Sequence, residues 1–182
     1  MEVWLRANQR AYGLATLILM VLIATCGLVA LDWLPVPMLK LAKGLAWFIV
    51  FTSLAVLWLL WRHSRLPRLA YHDGFLLVYA GGLRPSSVPI DAVEVFFRGQ
   101  GATPVPVRGE HLRTTNLVVR LAEREKQWHE RPVHPAFGKW EDGYISLSGA
   151  WCEPISADLL QTLNHRLVDI KRQRQIKETA KE

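Results

Sequence analysis

Two long apolar runs dominate the pattern of the chain. From Ala11 to Leu31 it reads AYGLATLILMVLIATCGLVAL, twenty-one residues without a charge, and Gly44 to Trp61 adds eighteen more. At 1.5 Å per residue the first run makes roughly 31 Å of helix, about the thickness of a bilayer's hydrocarbon core. The loop between them, Asp32 to Lys43, carries Pro35 and Pro37, which stop any single continuous helix. The pattern predicts an N-terminal region 1–65 holding two membrane-spanning helices, about 11–31 and 44–61. A compact domain, 66–172, and a charged tail, 173–182, follow. Met1 to Arg10 reads as a short basic lead-in, with Trp4 and Tyr12 placed for the membrane interface.

Charge orients the hairpin. Arg6, Arg10, Arg62, Arg65 and Arg68 flank one side, and only Lys40 and Lys43 the other, so the positive-inside rule puts both termini in the cytoplasm. Trp33 and Trp47 then anchor at the outer interface, Trp58 and Trp61 at the inner one. Neither span contains Asp, Glu, Lys, Arg or His, which argues against an ion or proton path. Thr25, Cys26, Gly27, Thr52 and Ser53 are small or weakly polar and suit close helix approach. The competing reading is a signal peptide: Arg6 and Arg10 resemble an n-region, and Ile23-Ala24-Thr25-Cys26 resembles a lipoprotein cleavage site. The run is longer than an ordinary h-region and lacks a small-x-small site, which favours an uncleaved anchor.

From Leu66 the texture turns to strands. Leu69–Tyr71 and Phe75–Tyr79 flank His72-Asp73-Gly74, an Asp-Gly hairpin signal. Arg84–Pro89 is a third strand that Pro85 and Pro89 confine to an edge, and Val93–Phe97 a fourth. Gly99–Arg113 reads as a loop rich in Gly and Pro, and Asn116–Leu121 as a fifth strand. Ala122–Arg131 is rich in helix formers, and Tyr144–Ser148 alternates as a strand. Ser156 then caps a helix whose Leu159, Leu160, Leu163, Leu167 and Ile170 form one apolar stripe, able to close over a sheet. Beyond Lys171 no stripe remains, and fraying is expected.

Three segments carry a family resemblance: Tyr71-His72-Asp73-Gly74-Phe75-Leu76-Leu77-Val78, then Gly82-Leu83-Arg84, then Val88-Pro89-Ile90-Asp91-Ala92-Val93-Glu94-Val95. With the preceding hairpin and the final helix, the chain resembles the bacterial pleckstrin-homology-like (PH-like) membrane proteins. The resemblance implies a mainly β, α+β domain, a partly open barrel or sandwich capped by the C-terminal helix. It implies an adaptor that binds protein, peptide or lipid rather than an enzyme, and an inner-membrane location. Residues 122–143 stand as an insertion against that pattern.

The net charge of +6 and pI near 9.6 allow nucleic acid, an anionic membrane surface or an acidic protein as partner. For a chain already anchored, acidic lipid is the least demanding. Arg62, Arg65 and Arg68 follow the second run directly, while Arg98, Arg108 and Arg113 flank the long loop; these six are the candidate lipid contacts. Basic residues are not interleaved with aromatics as in an RNA reader, so nucleic acid is not expected. Trp128, Trp140 and Trp151 read either as core or as a protein-binding groove. His129, His134, Asp142, Cys152 and Glu153 have metal-capable side chains but not the close paired spacing of a zinc site. With no nucleophile elbow or phosphate-binding loop, no catalytic residue, cofactor or metal is assigned. Cys26 and Cys152 fall in different regions and should not pair, which fits a reducing compartment. The reading is therefore a membrane-anchored interaction module, with a small membrane enzyme and an accessory subunit of a larger complex as alternatives. An enzyme should gather His129, His134 and Cys152 around a pocket.

Cysteines placed at Val36 and at Lys177 test the topology. Impermeant maleimide on intact cells should label position 36 and spare 177; labelling of 177 from outside would overturn the assignment.

Overall fold

A computed structural model describes residues 1–31, 33, 40–81, 84–102 and 113–179. By its contacts the chain divides into two units, Gln9–Arg65 and a second made of Met1–Asn8 together with Leu66–Glu182.

The first unit is a helical hairpin, α1 (Gln9–Ala30) against α2 (Lys40–Ser64). Both helices are long and apolar enough to cross a membrane. Only 6% of the most apolar window of α1 and 17% of that of α2 is buried, unlike the core helices of a soluble protein. The contact between them uses small side chains: Ala30, Ala46, Val50 and Ser53 are buried, with Tyr12 near one end. Thr25 and Thr52 return their hydroxyls to carbonyls of their own helices, so no polar hydrogen faces outward unsatisfied there. The loop prolines, Pro35 and Pro37, lie outside the described residues.

The second unit begins with a correction. The segment read as a basic lead-in contains strand β1 (Glu2–Leu5), paired antiparallel with β2 (Leu69–His72). Trp4 is not an interfacial anchor: it is 3% exposed and stacks on Tyr71 with Phe96 at its edge. A bulge between Val3 and Leu5 lets the adjacent Trp4 and Leu5 both turn inward. That breaks the alternation by which a strand is recognised. The helical hairpin is thus inserted between two neighbouring strands of one sheet.

That sheet continues through β3 (Phe75–Val78) to β4 (Ser86–Pro89), in the order β1-β2-β3-β4. The β2–β3 turn is the Asp-Gly turn read from the sequence, with both Asp73 and Gly74 at positive φ. The proline-flanked β4 lies at an edge. A 3-10 turn, Ile90–Ala92, buries Ile90 and Ala92 and carries the chain into a second sheet. That sheet contains β5 (Val93–Ala102), β6 (Arg113–Leu121), β7 (Gly138–Glu141) and β8 (Tyr144–Leu147), in the order β5-β6-β8-β7. Strand β5 runs past Phe97 through Gly99 and Gly101, into the stretch read as loop. The tip of that loop, 103–112, lies outside the described residues.

Two further expectations change. Ala122–Arg131 is not an α-helix but turns with a short 3-10 segment, Lys126–Trp128. Its helix formers lack an apolar stripe, so nothing holds them in a longer helix. Within the segment read as an insertion lies β7, joined to β8 by a second Asp-Gly turn, Asp142-Gly143, again at positive φ.

Helix α3 (Ala157–Thr179) closes the domain, capped where Leu159 N–H donates to Ser156 Oγ at 3.1 Å. Leu163 and Leu167 are buried, and Leu159, Leu160 and Ile170 pack against the same core. The charged residues beyond Lys171 do not fray at once: helix continues to Thr179. Arg174 pairs with Asp91 at 2.9 Å and donates to Gly74 O, tying that extension to the β2–β3 turn and the adjoining 3-10 turn.

A chain splicing Met1–Asn8 to Leu66–Glu182 through a short glycine-serine loop should fold as a soluble domain. A fragment starting at Leu66 should melt at markedly lower temperature for want of Trp4 and Leu5. In the spliced domain Leu163→Ala should cost roughly 2–5 kcal/mol in denaturant titration; an unchanged midpoint would mean the stripe faces something other than this core.

Candidate functional site

The three juxtamembrane arginines separate into two groups. Arg62 and Arg65 are exposed, their guanidinium carbons 5.9 and 4.4 Å from the ring centroids of Trp58 and Trp61. Arg68, read from the sequence as a lipid contact, is 2% exposed and belongs to the domain interior. Its Nε donates to Trp151 O at 3.1 Å, its Nη1 to Tyr79 O at 3.4 Å, and its guanidinium lies 4.8 Å from the Phe137 ring centroid. A buried charge is costly without such partners, and Arg68 cannot also reach a headgroup. The Trp151 carbonyl accepts a second hydrogen bond, from Asn8 N–H at 3.0 Å. The chain entering the hairpin and the chain leaving it are thereby tied to one oxygen. Around it Ala7 bridges Cys152, Glu153 N–H donates to Arg6 O at 3.0 Å, and Arg6 N–H donates to Glu153 Oε1 at 2.7 Å.

Of the loop set, Arg98 is exposed and donates to Thr115 Oγ1 at 3.1 Å. Arg113 lies at the start of β6, and Arg108 falls outside the described residues.

The tryptophans lean toward the core. Trp140 is 4% exposed and its Nε1 donates to Trp128 O at 2.7 Å. Trp128 packs against the same core, and its ring carries Arg131 at 4.8 Å. Trp151 is half-buried against Phe137.

The metal-capable residues do not converge. Among the described residues no three of His, Cys, Asp and Glu gather as a metal site. His129 sits beside Ala122 O and Gly143, and His134 beside Gly81 and Phe137. Cys152 is buried, and that burial pushes its thiol up to about 12, more than the nearby Arg68 charge lowers it. It is a neutral core thiol, unsuited to act as a nucleophile.

The surface that sequence reasoning missed is the outer face of the second sheet. Val95, Phe97 and Tyr144 are each more than a third exposed there, and the Phe97 and Tyr144 rings meet edge-on at 6.3 Å. The pairing of Val95 with Arg120, and of Arg120 with Tyr144, puts these residues side by side. Arg120, between Val95 and Tyr144 on the middle strand, is held at 2.9 Å from Glu94 and 3.3 Å from Glu123, so a paired charge sits within the apolar patch. The available signal was Phe96-Phe97: in a strand with one buried face, adjacent phenylalanines must face opposite ways. Phe96 takes the core, at 2% exposed.

Compared with known protein families, curated proteins and solved structures, the chain matches none.

Arg68→Met should lower the stability of the folded domain by about 1.5–3 kcal/mol by removing the charged donor to the Trp151 and Tyr79 carbonyls, the first of which keeps Asn8 N–H as a partner. Arg62→Gln and Arg65→Gln should leave it unchanged. Guanidinium titration of the full chain in detergent, followed by tryptophan fluorescence, compares the three.

Proposed function

We propose that this chain is a membrane-anchored interaction module: a PH-like domain held at the cytoplasmic face of a bacterial inner membrane by an uncleaved helical hairpin. The observation that carries the reading is the insertion of two largely exposed apolar helices between β1 and β2. Strands that pair in one sheet lie on one side of any bilayer, so hairpin and domain obey a single topology in which both termini share a compartment. Cleavage within α1 would strip Trp4 and Leu5 from the core, which favours an anchor over a signal peptide. Two four-stranded sheets closed by a C-terminal helix suit the PH-like description. The arginine excess beside the hairpin favours the cytoplasm.

Binding rather than chemistry is favoured because Cys152 is locked in the core, while Val95, Phe97 and Tyr144 present apolar and aromatic side chains around a paired arginine, Arg120, a mix suited to a protein-binding surface. The partner engaging that patch is a protein, and Arg62 and Arg65 contribute attraction to acidic lipid, about 1 kcal/mol per residue near the surface.

A photo-crosslinking amino acid placed at Phe97 or Tyr144 of the full chain in native membranes should yield discrete protein adducts. Placed at exposed Val168 on α3, it should yield far fewer. Equal yields at all three positions, or none, would reject the patch as the binding face. Alkaline carbonate washing of the same membranes tests the anchor separately: release of the chain would reject the hairpin as membrane-spanning.

A further inference from the structure

The helical hairpin contains a groove of about 480 Å³ where the start of α1 meets the end of α2, within the size range of ligand sites. Its walls include Tyr12, Gly13, Thr16, Leu54, Trp58 and Trp61. The groove is graded along its length. At one end Gln9 Nε2 donates to Ser64 O at 2.9 Å, closing it with a polar pair; further along, Leu54 and Leu57 make it apolar. Both tryptophans of the wall carry a guanidinium: Arg65 lies 4.4 Å from the Trp61 ring centroid and Arg62 5.9 Å from that of Trp58. Each exposed charge thus lies beside an aromatic ring that lines the slot, Arg65 beside the one nearer the Gln9–Ser64 pair.

We infer that this groove is a binding site for one anionic phospholipid, its acyl chain along Leu54 and Thr16 and its phosphate against Arg62 and Arg65. Charge complementarity selects this occupant. A zwitterionic lipid brings a cationic group that two arginines repel, and a second copy of the chain would bring the same arginines. Arg62 and Arg65 donate in planar forks that match phosphate oxygens, which lysines there would not. The inference rests on the membrane-anchor reading and adds to it a defined site in place of a diffuse attraction to the surface.

Gly13 supplies a clean probe. A Cβ built there meets nothing within 4 Å, so Gly13→Leu fills the groove while favouring the helix. Arg62→Gln/Arg65→Gln instead removes the charge and leaves the walls intact. The experiment is native mass spectrometry of the full chain from non-ionic detergent, titrated with dioleoyl phosphatidylglycerol or dioleoyl phosphatidylcholine. Wild type should take up one phosphatidylglycerol with a preference of at least about fivefold over phosphatidylcholine. Gly13→Leu should lose that adduct, and the double arginine variant should keep binding but lose the preference. Circular dichroism of both variants checks that helix content is kept, and Thr16→Phe serves as a second plug should Gly13→Leu misfold. Equal uptake of the two lipids by wild type, or undiminished uptake by the plugged variants, overturns the inference. A chain that resists carbonate extraction yet shows no lipid preference defeats this site alone, whereas a chain that carbonate releases defeats the anchor beneath it.

Discussion

The antiparallel pairing of β1 with β2 is the constraint on which the rest depends. Between these two strands the chain makes an excursion of two long helices, yet Glu2 still faces Tyr71 and Val3 faces Ala70. Closing so long a loop carries an entropy cost that grows only slowly with its length. Local contacts offset it. Trp4 and Leu5 fill the core, and Arg6 to Asn8 are stitched to residues 150–153 by backbone and side-chain hydrogen bonds. Arg68, immediately before β2, completes the knot by donating to the same Trp151 carbonyl as Asn8. Its charge is tolerated inside because carbonyl oxygens and an aromatic face surround it.

Helix α3 handles a different problem, the exposed edges of two open sheets. An edge strand presents unpaired backbone groups that invite other chains. Asn164 answers this on β5 by acting as a strand in miniature: its Oδ1 accepts from Phe96 N–H at 2.9 Å and its Nδ2 donates to Phe96 O at 2.8 Å. Further along the same helix, Lys171 donates to Val93 O, and burial at that contact lowers the lysine's pKa. On the other sheet Arg166 pairs with Glu2 of β1 at 3.2 Å. One helix thus covers two edges by polar contacts while its leucines fill the space between the sheets. The edge of β5 is occupied from within the chain, and the exposed apolar surface of that sheet lies on its outer face instead.

The two units solve opposite solvent problems. In the domain most of the described large apolar side chains turn inward, and those left exposed are Val95, Phe97 and Tyr144 on the second sheet and others elsewhere, among them Val3, Phe75, Val168 and Ile176. In the hairpin they turn outward, and Leu14, Leu17, Ile18, Phe48 and Phe51 are each more than half exposed. Apolar surface of that extent calls for an apolar medium. Arg62 and Arg65, stacked on tryptophans at the end of α2, mark where that medium should give way to water.

Sequence alone determined the elements whose cause is local. The two long apolar helices, the Asp73-Gly74 turn, the edge position of β4 and the stripe of α3 each follow from composition or periodicity within a few residues of the site. Asp142-Gly143 was equally legible and would have revealed β7. What only the tertiary structure decided has distant partners. Glu2–Leu5 becomes a strand because Leu69 and Ala70 lie beside it, and its bulge erases the alternation that would announce it. Arg68 looks like its neighbours Arg62 and Arg65, yet carbonyls from Tyr79 and Trp151 draw it into the core. The residues after Lys171 lack an apolar stripe, but Arg174 finds Asp91 and Gly74 and the helix persists. In each case the deciding interaction joins residues far apart in the chain, and no local pattern records it.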